Sequence, residues 1–245
     1  MNQTSTNQPA TRRPRRKLDD RLITGEHIPD YVIEIFSSLR TKISLALQQC
    51  DEKSIVVTSL DMDAGKSTVA ANMAISFAKQ GLPTILIDGD MRRGVLHNTF
   101  VVNKSSGLSD FLFSEKQISE ETVFELFQQT HVPNLYLVSS GHNLPNPIDL
   151  LTSERFVAVK QILNRHFGMI IFDSPPLGAA TDAVTVVDLF SRYVLVAKAG
   201  ATNIIDLNKK IDEFPILKNK IIGIVLNQAH VGKKLKYYKY SRYSQ

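Results

Sequence analysis

An α/β fold, with helices on both faces of a mostly parallel sheet, is predicted by three features of this 245-residue chain. Short β-branched apolar runs alternate with helix-period segments, the order that winds a parallel sheet. Two of those runs end in acids, Ile87-Asp88-Gly89-Asp90 and Ile170-Ile171-Phe172-Asp173. A third, Ser54-Ile55-Val56-Val57-Thr58, leads through a loop into Ala64-Gly65-Lys66-Ser67-Thr68 and a helix. Ligands of such sheets bind beyond the carboxyl ends of the strands, where all three features fall.

Each element has its own signal. Residues 1–28 are polar and basic, with Pro9 and Pro14, and read as a flexible arm. Pro29-Asp30 starts a helix to about Leu47, with Val32, Ile35 or Phe36, Leu39, Ile43 and Leu47 at helical spacing. Ile55–Ser59 is a strand, Lys66–Lys79 a helix ended by Gly81, and Thr84–Asp88 a strand. Arg92–Gln129 is less regular and reads as two helices, one short. Leu135–Ser139, Met169–Asp173, Arg192–Ala197 and Ile221–Leu226 read as strands. Ser153–His166, Ala179–Leu189 and Ile204–Phe214 read as helices.

Composition narrows the class. With 43% hydrophobic and 22% charged residues, the chain suits one globular α/β domain. No apolar run reaches the ~18 residues of a membrane span, and no signal-peptide core opens the chain, so cytoplasm is the default location. The lone Cys50 reads as a half-buried small side chain rather than a ligand or nucleophile. Of the net charge of +5, residues 1–21 carry +4 and residues 233–245 carry +5, which leaves −4 for the body. That distribution argues against a broad nucleic-acid face and allows the ends to meet anionic lipid, at ~1 kcal/mol per basic residue. Solvated ends are the plain alternative.

The run Ala64–Thr68 looks like the end of a P-loop. Its backbone N–H groups and helix N-terminus are aimed at an anion. Lys66 adds a charge for the β- and γ-phosphates, and the Ser67 hydroxyl can ligate Mg²⁺. The strict pattern has glycine where Leu60 stands, and Asp61 and Asp63 are like-charged with phosphate. A plain helix start capped by Ser59 or Asp63 is the structural alternative. Asp88, Asp90 and Asp173 weigh against it, because buried strand-end carboxylates need a partner such as Mg²⁺.

Together, the loop, Ile87-Asp88-Gly89-Asp90-Met91-Arg92 and Phe172-Asp173-Ser174-Pro175-Pro176 resemble the Walker A, A′ and B motifs of bacterial tyrosine kinases. The similarity is to the soluble kinase of Gram-positive capsule and exopolysaccharide systems. Pro147-Ile148-Asp149-Leu150-Leu151 and Ser153-Glu154-Arg155-Phe156 extend it. The resemblance implies a P-loop NTPase fold of the deviant-Walker, ParA/MinD-like kind over residues 29–232. It implies that Lys66 binds the β/γ-phosphates, Ser67 holds Mg²⁺ and Thr68 meets the α-phosphate. Asp63, Ala64, Gly65 and Arg92 complete the nucleotide site. Asp88 becomes metal partner and possible base, Asp90 its support, and Asp173 a Mg²⁺ ligand through water. Asn227 matches a position that meets adenine; a strand-end turn residue is its ordinary reading.

The tail 233–245 holds Tyr237, Tyr238, Tyr240 and Tyr243 in a basic, aperiodic context that keeps it solvated and mobile. A basic-aromatic tail for nucleic acid or membrane is the other reading. The resemblance favours autophosphorylation in trans. Each phosphate adds ~−1.5 to −2 charges, so three would bring the +5 tail near neutral and weaken subunit association.

The resemblance also implies a homo-oligomeric ring, a transmembrane modulator of the polysaccharide co-polymerase (Wzz/CapA-like) type that recruits the kinase to the membrane, a cognate tyrosine phosphatase, and no nucleic-acid partner. The ring motif keeps Glu34 and Arg40, but Ser37 replaces its first arginine. Gly94 stands where the A′ motif usually has proline, and Asp63 where the loop usually has glycine. A non-kinase ATPase of the ParA/MinD positioning type is the alternative. That class carries a lysine where this chain has Leu60 and has no need of a tyrosine tail. A degenerate regulator that binds nucleotide without turnover is a third reading.

Overall fold

The computed structural model describes residues 18–229, apart from Glu26 and Ala180. The tyrosine tail and residues 1–17 lie outside them.

Helix α1 (Asp30–Ala46) follows Pro29 and lays Val32, Ile33, Phe36 and Leu39 against the core. Phe36 therefore takes the inward position, and Ile35 is exposed. Strand β1 (Ser54–Ser59) leads through the loop to α2 (Lys66–Ala78), then β2 (Thr84–Asp88). The stretch expected as two helices instead forms three short ones and a strand: α3 (Leu96–Thr99), α4 (Leu108–Phe113), α5 (Glu120–Phe124) and β3 (Phe127–Gln129). Segments this short bury too few apolar residues to show a helical period. Then come β4 (Leu135–Val138), α6 (Ile148–Leu151), α7 (Glu154–His166) and β5 (Met169–Asp173). The helix expected over 179–189 is reduced to α8 (Asp182–Thr185) and a 3₁₀ turn at Val187–Leu189. Strand β6 (Arg192–Lys198), α9 (Ile204–Asp212), α10 (Pro215–Lys220) and β7 (Ile221–Asn227) complete the described chain.

Among the described residues the strands form one sheet in the order β3-β4-β2-β5-β1-β6-β7, parallel except for the edge pair β3/β4. Central strands are buried on both sides, so their residues alternate between two cores. Ile55, Val57 and Ile171 pack under α1 and α2. Val56, Ile170 and Phe172 pack under α7 and its neighbours. Placing β5 between β1 and β2 brings the three motif-bearing strand ends side by side.

Residues 18–28, expected in the flexible arm, instead cross α2. Leu22 and Ile23 are buried, and the side chain of buried Asn72 pins the backbone. Its Oδ1 accepts from Ile23 N at 2.7 Å and its Nδ2 donates to the Arg21 carbonyl at 3.0 Å.

Candidate nucleotide and phosphoryl-transfer site

Gly65 takes φ +85° and caps α2, a left-handed conformation that glycine adopts without strain. An added Cβ there would sit 2.2 Å from Asn227 Nδ2. That nitrogen donates to the Ala64 carbonyl at 2.8 Å, so Asn227 ties the end of β7 to the loop. Ser59 does not cap the helix; its hydroxyl donates to the Asp61 carbonyl at 2.7 Å. Asp63 has φ +58° and an exposed side chain at the rim of the cleft. Aspartate is among the few residues that tolerate this region, so it can stand where glycine is usual.

Register places Asp88 directly opposite Asp173 on adjacent parallel strands. Both are wholly buried. Asp88 Oδ2 accepts from Leu96 N at 3.0 Å, but Oδ1 has no hydrogen-bond partner. Burial, reinforced by the facing Asp173, pushes the Asp88 carboxyl up to about 8. Burial also raises Asp173, with Lys66 and Ser67 opposing. These two face Asp173 outside hydrogen-bond geometry, and neither of its oxygens has a hydrogen-bond partner. Lys66 Nζ lies 3.3 Å from Asp90 Oδ2 and 3.7 Å from Asp173 Oδ1. Burial alone would lower the lysine, but Asp173, Asp90 and Asp88 outweigh it and hold the ammonium above its ordinary range. Asp90 is fastened by Arg93 N, which donates to its Oδ1 at 2.9 Å.

Three buried carboxylate oxygens without a hydrogen-bond partner, on Asp88 and Asp173, fit a hard divalent cation. Among the described residues no cluster of three or more His, Cys, Asp or Glu side chains is arranged as a metal site. Mg²⁺ commonly binds through one or two carboxylates together with substrate phosphates and water.

A cleft of about 990 Å³ opens beside Lys66, Ser67 and Asp90, while Asp88 and Asp173 lie buried behind its lining. Gly65, Lys66, Ser67, Thr68, Asp90 and Arg92 line it, as do Asp19, Arg21, Lys198 and Gln228, which sequence reasoning did not single out. Asp19 and Arg21 arrive on the segment that Asn72 holds, a contact no local pattern signals. Arg92, expected as a nucleotide ligand, lines the cleft and is also held within the chain. Its guanidinium is taken up by the buried carboxylate of Asp182, at 3.3 and 3.4 Å, and by the Pro145 carbonyl. Arg40, expected at a subunit interface, donates within its own chain to the Ser76 carbonyl and hydroxyl, at 3.0 and 3.2 Å. Glu34 is exposed on α1.

A family model described as an AAA domain matches residues 52–221. Tyrosine-protein kinase CpsD of Streptococcus pneumoniae is 34% identical over 200 residues, covering 81% of this chain and 85% of that protein. Tyrosine-protein kinase YwqD of Bacillus subtilis is 33% identical over 210 residues, 86% of this chain and 84% of that one. The crystal structure of the chimerical protein CapA2B2 superposes with a TM-score of 0.78 at 30% identity, covering 86% of this chain and 91% of that one. The cell division ATPase MinD of Pyrococcus furiosus reaches a TM-score of 0.58 at 24% identity, over 74% of this chain and 73% of that one, and shows the shared fold alone.

Proposed function

Because the chain belongs to the bacterial tyrosine-kinase family and is a protein-tyrosine kinase, we propose that it uses Mg-ATP to phosphorylate its own tail in trans. Tyr237, Tyr238, Tyr240 and Tyr243 are the acceptors in this reading. The observation that carries it is the meeting of Lys66, Asp88, Asp90 and Asp173 beside the N-terminus of α2.

The amides of Gly65–Thr68 and the α2 dipole hold the phosphates. Lys66 exchanges Asp90 and Asp173 for phosphate oxygen, so its positive charge stays in the site throughout. Ser67, Asp88 and Asp173 would hold Mg²⁺, which when bound would neutralise phosphate charge. As the tyrosine oxygen bonds to the γ-phosphorus and the bond to the β-phosphate bridge oxygen breaks, Asp88 Oδ1 receives the tyrosine proton. Without a cation, burial holds this carboxyl protonated up to about 8; a bound Mg²⁺ would lower it and supply the ionised form that accepts the proton. Positioning and charge neutralisation supply most of the catalysis in such transfers.

The kinase regulates capsular or exopolysaccharide polymerisation or export. A CapA-like transmembrane protein completes the site and recruits it to the membrane, in keeping with the CapA2B2 chimera. Among the described residues no helix is long and apolar enough to cross a membrane. Glu34 and Arg40 contribute to a ring of subunits. The MinD-type alternative is less well supported, since Leu60 replaces that class's lysine and the structural likeness is weaker.

Labelled ATP, with and without the partner's cytoplasmic segment, tests the proposal. Phosphotyrosine should form, vanish in Lys66→Met, and leave the tail when its four tyrosines become Phe. Phosphate release without phosphotyrosine would overturn the reading.

A further inference from the structure

We infer that Asp182 is a positioning residue for phosphoryl transfer: its buried carboxylate, rather than the nucleotide, is the partner of Arg92, and the pair sets the loop that carries Asp88 and Asp90. The inference rests on the kinase reading above.

Asp182 is wholly buried and is engaged by both Arg92 Nε and Nη2. The remaining arm of the fork reaches the Pro145 carbonyl. One guanidinium therefore joins segments that follow β2, β4 and β5. Asp182 itself has little freedom, because the buried Tyr193 hydroxyl donates to the next carbonyl, Ala183 O, at 2.7 Å. Upstream, Leu177 N and Gly178 N donate to the carbonyls of Ser59 and Leu60 at 2.8 and 3.0 Å, fastening the same connection to the phosphate loop. Arg92 lies two residues beyond Asp90 and one before Arg93, whose amide holds Asp90. Removing the anchor frees the A′ loop while leaving the α2 N-terminus intact. A shift of about 1 Å in catalytic groups costs on the order of 100-fold in rate.

The experiment pairs Asp182→Asn with Arg92→Gln and the double variant. Turnover is measured by tail phosphotyrosine at saturating Mg-ATP, affinity by titration with a fluorescent ATP analogue, and loop order by hydrogen exchange at the Arg93 and Leu96 amides. Expected are losses of about 10-fold or more in turnover for each single variant, no further loss in the double, and an affinity within about 2-fold of wild type. Exchange at both amides should quicken by about 10-fold, and Asp182→Glu should recover part of the turnover. Arg92→Gln weakening the analogue more than about 5-fold, with Asp182→Asn leaving it unchanged, would assign Arg92 to the nucleotide and overturn the inference. So would unaltered exchange. A wild-type protein without phosphotyrosine would remove the kinase reading alone, because exchange still decides whether Asp182 orders the loop.

Discussion

Adding one methyl group at Gly94 probes the packing behind Asp88. The Cβ of Gly94→Ala would lie 2.1 Å from Ser140 Oγ, 2.6 Å from Ser140 Cβ and 2.8 Å from Asp88 Oδ2. Ser140 is wholly buried, so it cannot swing into solvent. Relieving the overlap takes a movement of about 1 Å, and overpacking of this kind costs ~1–3 kcal/mol. For a domain of this size ~2 kcal/mol corresponds to about 4–8 °C in Tm. The displaced group also holds the Leu96 amide through Asp88 Oδ2, so turnover should fall by on the order of 100-fold. Circular-dichroism melting and a phosphotyrosine assay read both effects. Ser140→Gly in the same chain removes the two closest atoms and should recover most of the lost Tm. A Gly94→Ala protein that melts and turns over like wild type would refute the reasoning. A proline Cβ at this position would meet the same atoms.

Two further outcomes follow from the buried polar groups. The folded protein keeps a proton on Asp88 up to about pH 8, whereas the unfolded chain releases it near 3.8. Between those values the native state binds more protons, so stability falls as pH rises from about 4 to about 8 and levels above. Urea midpoints measured without Mg²⁺ or nucleotide should show this decline, and Asp88→Asn should flatten it; a midpoint that rises across the window contradicts the assignment. Asn72→Ala leaves the Ile23 amide and Arg21 carbonyl without partners and should cost ~1–3 kcal/mol. Limited proteolysis within residues 18–28 should quicken, and an unchanged cleavage rate would mean that the segment is held by Leu22 and Ile23 alone.

Much of the fold was legible because its cues are local. Thr84–Asp88 and Met169–Asp173 have the bounds their apolar runs suggest, and the acid at each end marks the strand exit. The stretch from Arg92 to Gln129 was not legible, because its short helices depend on long-range ties such as Leu108 N to the Ser139 carbonyl. Candidate residues divide in the same way. Lys66, Asp88, Asp90 and Asp173 announce themselves by residue type at a strand or helix end. Asp182 carries no local mark, and its partner Arg92 is 90 residues away.

The amino-acid sequence by itself determined the alternating α/β order, the phosphate loop and the acids at the strand exits. These follow from local periodicity and from residue chemistry at element ends. Only the tertiary structure decided that β5 lies between β1 and β2, so that Asp173 faces Asp88 and Lys66 meets Asp173 and Asp90. It alone decided that Arg92 turns to Asp182, that Gly94 makes room for Ser140, and that Arg21, Leu22 and Ile23 belong to the folded body. Each depends on desolvated contacts between groups far apart in the chain, whose strength is set by burial and register rather than by neighbouring residues.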